Sequence, residues 1–171
     1  MRPCRLLFAL AIVTSAASAF AADPVAKGTA QALPVIGKVP DHRIVHEVRM
    51  PPDGPLRVFI LVDPVNPAAP EFKPNMRALV RKVAKDHRVP ITIEIFDNGK
   101  AMDMYYRGGI LFEHKGPYSK EEVAFTDTHA VCLWGEVDGD KVLNELLFFP
   151  GAPSNSLYSK NASEEKFDPR N

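Results

Sequence analysis

Hydrophobic and polar positions first alternate in "RIVHEVRM" (residues 43–50), where strict alternation sets Ile44, His46, Val48 and Met50 on one face of a strand. The turn "PPDGP" follows, and then "LRVFILV" (56–62), apolar without a break. Two such runs around a turn predict a hairpin whose second strand is buried on both faces. "DPVNPAAPEFKP" (63–74) is a proline-dense loop, with Pro74 placed as a first-turn helix proline. The period then changes. In "NMRALVRKVAKDH" the residues Met76, Leu79, Val80, Val83 and His87 recur at steps of three and four, predicting an amphipathic helix. Pro90 closes it, and "ITIEIF" (91–96) returns to strand, with Ile91, Ile93 and Ile95 on one face before the turn Asp97-Asn98-Gly99.

Residues 100–125 fit two patterns. "KAMDMYY" reads as a returning hairpin arm or as a short helix, and Ser119 in "GPYSKEEVAF" caps a helical turn. "THAVCLWGEV", the turn Asp138-Gly139 and "KVLNELLFFP" predict a second hairpin. The order strand, strand, helix, strand, ambiguous segment, strand, strand predicts an α+β fold. It is a mostly antiparallel sheet of about five strands, with one main amphipathic helix on one face. Val58, Ile60 and Val62 point one way and Phe59 and Leu61 the other, so the second face also needs cover. Residues 100–125 are the expected cover; a homodimer is the other source.

The flanks differ from this core. Residues 1–21 have Arg2 and Arg5, an apolar run from Leu6 to Val13 and the small-x-small site Ala19-Phe20-Ala21, the layout of a signal peptide too short to anchor permanently in a bilayer. Residues 22–40 read as a flexible lead-in, 41–150 as one domain and 151–171 as a polar C-terminal tail. Asn161-Ala162-Ser163 matches a glycosylation acceptor, which matters only in a eukaryotic secretory route. The expected location is periplasmic or secreted, and no later window has the apolar run of a transmembrane span.

Composition narrows the chemistry. The chain has 21 basic and 21 acidic residues; cleavage after Ala21 leaves 19 against 21, a net charge of −2. Such a balance gives no general drive toward nucleic acid or anionic lipid. Cys4 leaves with the leader, so Cys132 stands alone and no intramolecular disulfide forms. Read as a strand, residues 128–137 put His129 and Cys132 on opposite faces, which excludes a nucleophile–base pair and makes Cys132 a small buried apolar residue.

Candidate sites follow from what remains. Asp127 and His129, two apart, share a face of that strand, and with His114 beside Glu113 they form the constellation a small hydrolase or metal-dependent enzyme would use. Neither "G-x-S-x-G" nor "H-E-x-x-H" accompanies them, and no Gly-rich phosphate cradle occurs. Arg77, Arg81, Lys82, Lys85 and Arg88, extended by Lys73, make a cationic stripe on the main helix, either solvated or a docking face for an acidic partner. Met102, Met104, Tyr105 and Tyr106 offer adaptable contact area, or cover for the sheet. Asp63 ends an apolar strand where open parallel sheets border a ligand crevice, although Asp before Pro also starts turns. The favoured expectation is a non-catalytic binding domain for a protein or envelope component, with no cofactor, no metal and no nucleic acid.

Overall fold

A computed structural model describes residues 36–49, 52–111, 113, 116–135, 137–138, 141–149 and 162–171 of the chain. Strand β1 (His42–Arg49) and strand β2 (Leu56–Val62) form the expected antiparallel hairpin, and helix α1 (Phe72–Asp86) crosses over to strand β3 (Ile91–Phe96). The crossover returns β3 parallel to β2, a pairing that two-residue turns cannot make and an intervening helix can. Helix α2 (Gly99–Tyr105), a π-helical turn (Tyr106–Ile110) and helix α3 (Lys120–His129) then lead into strand β4 (Ala130–Trp134). A small ribbon of β5 (Val137–Asp138) and β6 (Lys141–Val142) tips the second hairpin, whose return arm β7 (Glu145–Phe148) pairs with β4. Strand β8 (Ser163–Lys166) completes a six-stranded sheet in the order β1-β2-β3-β4-β7-β8, antiparallel at every step except β2–β3. The α+β class stands; among the described residues there are three α-helices and eight strands, six of them in the main sheet, where one main helix and about five strands were expected.

Both sheet faces carry a core. On one, α1 inserts Met76, Leu79, Val80 and Val83 against Val58, Ile60, Ile93 and Ile95, with Trp134 and Phe148 from the second hairpin. On the other, Phe59, Phe96 and Phe149 are closed over by Met102 and Ile110, with Tyr105, Tyr106 and Leu111 packed against them. Residues 99–111 therefore supply the second cover from within the chain. Asn98 starts α2 by accepting the Lys100 and Ala101 backbone N–H groups, so "KAMDMYY" is a helix and not a hairpin arm.

Three sequence expectations change. The alternation in β1 is broken: the register shifts between Ile44 and His46, leaving Val45 as an extra residue opposite Phe59. His46 and Val48 then face the α2 side, where His46 meets the Phe59 and Tyr106 rings, while Ile44 pairs with Ile60 on the α1 side and stays 42% exposed. Residues 128–129 are helical and not strand. Ser119 and Glu122 form a full capping box, and α3 runs on through Thr128, whose hydroxyl donates to the Ala124 carbonyl, before the apolar run from Ala130 enters the sheet. Finally, residues 162–171 are no tail. Ser163–Lys166 pair with β7, and Phe167 lies 8% exposed in the α1-side core beneath the indole of Trp134, whose Nε1 donates to its carbonyl at 2.9 Å.

An ionic clamp ties β1 to the end of α1. His87 lies 2.7 Å from the Val83 carbonyl through Nδ1 and 2.8 Å from Glu47 Oε1 through Nε2. Both partners accept, so both ring nitrogens donate, which defines an imidazolium. Burial pulls the His87 pKa down, but Glu47 and the Val83 carbonyl outweigh it and the net shift is upward. A raised folded-state value gives stability that is fully present below the unfolded pKa and is lost as pH rises through the folded one. Glu47→Gln is therefore expected to cost about 0.5 kcal/mol at pH 5.5, the scale of a partly exposed pair, and almost nothing at pH 8.5. Urea titrations at the two pH values check this; an equal loss at both contradicts an imidazolium.

Candidate functional site

The central strand hides a charge. Ile91, Ile93 and Ile95 face α1, and the alternate positions Thr92, Glu94 and Phe96 face α2. All six are buried, Glu94 at 5% exposure. Arg57, on the neighbouring strand, places Nη1 3.2 Å from Glu94 Oε1, and the Tyr105 hydroxyl from α2 donates to the same carboxylate. Burial pushes the Glu94 carboxyl up, and Arg57 and Tyr105 offset this only in part. Burial, and next the Glu94 charge, push the Tyr105 phenol up in turn. Beside them lies a cavity of about 20 Å³ lined by Glu94, Tyr105, Thr126, Asp127, Cys132 and Phe149. That is the space of one water molecule and no more. Two residues singled out in the sequence, Asp127 and Tyr105, thus meet a third that was not. In the sequence Glu94 shares the alternate positions of "ITIEIF" with Thr92, a pattern that reads as a solvated face.

Asp127 and His129 do not act together. Two residues apart on a helix they are about 200° apart around its axis, a consequence of 3.6 residues per turn, so Asp127 turns to the cavity while His129 turns to Asp97. His129 Nδ1 is 2.8 Å from Asp97 Oδ1, and the Asp97 backbone N–H donates to the His129 carbonyl at 3.1 Å. Phe125 packs edge-on to the imidazole at 4.9 Å. These two hydrogen bonds, one between side chains and one between backbones, fasten the end of β3 to the end of α3. His114 lies outside the described residues. Among the described residues no three His, Cys, Asp or Glu side chains gather closely enough to hold a metal ion. Cys132 is 2% exposed, and burial pushes its thiol up, away from the reactive thiolate.

The cationic stripe is largely occupied by the chain itself. Arg77 grips Glu165 through Nε at 2.6 Å and Nη2 at 2.5 Å, Lys73 reaches Ser163 Oγ at 2.8 Å, and the Arg81 guanidinium sits over the Phe167 ring at 5.0 Å. Lys82 pairs loosely with Asp86 at 3.5 Å, while Lys85 and Arg88 remain exposed. Met102 is buried, Tyr106 stacks on His46 at 3.8 Å, and the Met104 carbonyl accepts the Tyr118 hydroxyl at 2.7 Å. The Met/Tyr segment is chiefly cover.

A roomier concavity lies where β1 begins and β2 ends. About 280 Å³ in volume, it is lined by Asp41, His42, Arg43, Leu61, Val62 and Asp63. The last pair of the β1–β2 register is His42 with Val62; Asp41 and Asp63 lie one residue beyond it, and Arg43 joins them around the concavity. His42 Nδ1 donates to the Pro40 carbonyl at 2.9 Å. Asp41, Arg43 and Asp63 are exposed, and among the described residues none has an ion-pair partner. Asp63 also marks the carboxyl end of the first strand of the parallel β2–α1–β3 step, the place where such steps border ligands. Asp41 and Arg43 escaped the sequence reading because charges at the start of an edge strand look like ordinary solvated residues.

Comparisons of the chain with protein-family models, with curated proteins and with solved structures find no match.

Proposed function

We propose that this chain is an exported, non-catalytic domain that binds a protein or cell-envelope component in the groove at the end of β2. The groove is the observation that carries the reading: unpaired charges of both signs around one concavity, at the carboxyl end of a parallel strand. The acid–base residues elsewhere have structural work that accounts for them. Asp97 and His129 join β3 to α3, and Glu94 with Arg57 and Tyr105 holds α2 on the sheet. The signal-peptide layout of residues 1–21 supports export, with a mature chain starting at Ala22.

Titrating ¹⁵N-labelled protein with soluble envelope fragments tests the reading. Backbone shifts are expected at residues 41–43 and 61–63, to be abolished by Arg43→Gln or Asp63→Asn and to persist in His129→Ala. Shifts confined to Lys82, Lys85 and Arg88 would move the site to α1 and defeat the proposal.

A further inference from the structure

Resting on the reading of the groove as the binding site, we infer that it takes the zwitterionic end of an α-amino acid, with the ammonium between Asp41 and Asp63 and the carboxylate on Arg43. Asp41 and Asp63 lie one residue beyond the His42–Val62 pair and both line the concavity, so their like charges repel. No cation among the described residues lies within ion-pairing distance of either. An ammonium, with three donors on a compact charge, relieves the repulsion and satisfies both acids. Arg43 adds the second half of the pattern. Its planar fork matches a carboxylate through two parallel bonds, and it is uncommitted in the free protein.

Competing ligands fit less well. A calcium or magnesium ion needs six or more oxygens and would sit beside the Arg43 charge. A phosphate ester would face two carboxylates. The volume of about 280 Å³ is just below the range of sites for drug-sized molecules and suits an amino-acid-sized group. Leu61, paired with Arg43 on the α2 side, provides the apolar wall for its carbon stem. This chemistry has two sources: a free amino acid, or the side-chain end of a diamino acid in an envelope peptide, which carries both an amine and a carboxylate on one carbon.

The test titrates ¹⁵N-labelled full chain with L-alanine, with N-acetyl-L-alanine, with L-alaninamide, and with a tripeptide ending in meso-diaminopimelate. Shifts at residues 41–43 and 61–63 are expected with at least one of the two unblocked probes; which one identifies the source. Blocking either the amine or the carboxylate should weaken binding at least tenfold, and so should Asp63→Asn or Arg43→Gln. Equal binding of blocked and unblocked alanine overturns the inference without any variant having to fold. If envelope fragments shift the groove while neither zwitterion does at 10 mM (roughly tenfold above a millimolar site), the inference fails and the binding reading stands. If nothing shifts the groove, both fall.

Discussion

A chain ended at residue 161 is expected to lose cooperative folding. The missing segment carries Phe167, which fills the α1-side core, and the carbonyl that accepts the buried Trp134 indole. It also carries Glu165, the bidentate partner of Arg77, and the strand that pairs with the open edge of β7. Removing a buried phenylalanine side chain alone costs about 3–5 kcal/mol, and leaving a buried donor unsatisfied adds about 1–3. Together these approach the whole stability of an ordinary domain, about 5–15 kcal/mol. Circular dichroism melts check the expectation: the shortened chain should show no sharp transition. The point variant Phe167→Ala isolates the packing part and should lower the unfolding free energy by about 3 kcal/mol. A shortened chain melting like the full one would return residues 162–171 to the status of a tail.

Replacing Arg57 with Leu should cost about 3 kcal/mol at pH 7.5, because it strands the Glu94 carboxylate in a site only 5% exposed. Arg57 itself is partly open to solvent and Tyr105 still donates, so the loss falls at the lower end for a broken buried pair. The pH dependence gives the sharper test. Glu94 is already raised by burial, so the folded state holds a proton over a range where the unfolded chain has released it. In that range stability falls as pH rises, the reverse of the usual carboxylate. Without Arg57 the carboxyl rises further and the range widens. The penalty of Arg57→Leu should therefore shrink between pH 7.5 and pH 5, as read from urea midpoints at each pH. Adding Glu94→Leu should restore most of the loss, since a matched apolar pair replaces a buried ion pair at little cost. A penalty that ignores pH would show that Arg57 acts by packing and not by charge.

The parts of this fold that could be read in advance are those with a long, strong period. Helix α1 shows four apolar positions, Met76, Leu79, Val80 and Val83, at helical spacing, while β2 and the second hairpin are apolar runs and β3 an alternating one between turn residues. What escaped has physical reasons. Strand β8 is "SEEK", four polar residues at a sheet edge whose only apolar anchor, Phe167, follows it. Helix α3 has no buried residue, so no stripe announces it and only its capping box does. The bulge at Val45 reverses the alternation on which a face assignment depends. Glu94 was hidden because "ITIEIF" alternates, so Thr92 and Glu94 read as the solvated face of a strand that is in fact buried on both sides. The Asp97–His129 contact spans 32 residues of chain, and no local pattern could point to it.

The place of β8 has a consequence for refolding. Until Ser163–Lys166 dock, the edge of β7 offers an open row of backbone amides, a ready template for pairing with a second molecule. Dilution slows such encounters without slowing the return of a molecule's own end, so it is dilution that favours the closed sheet.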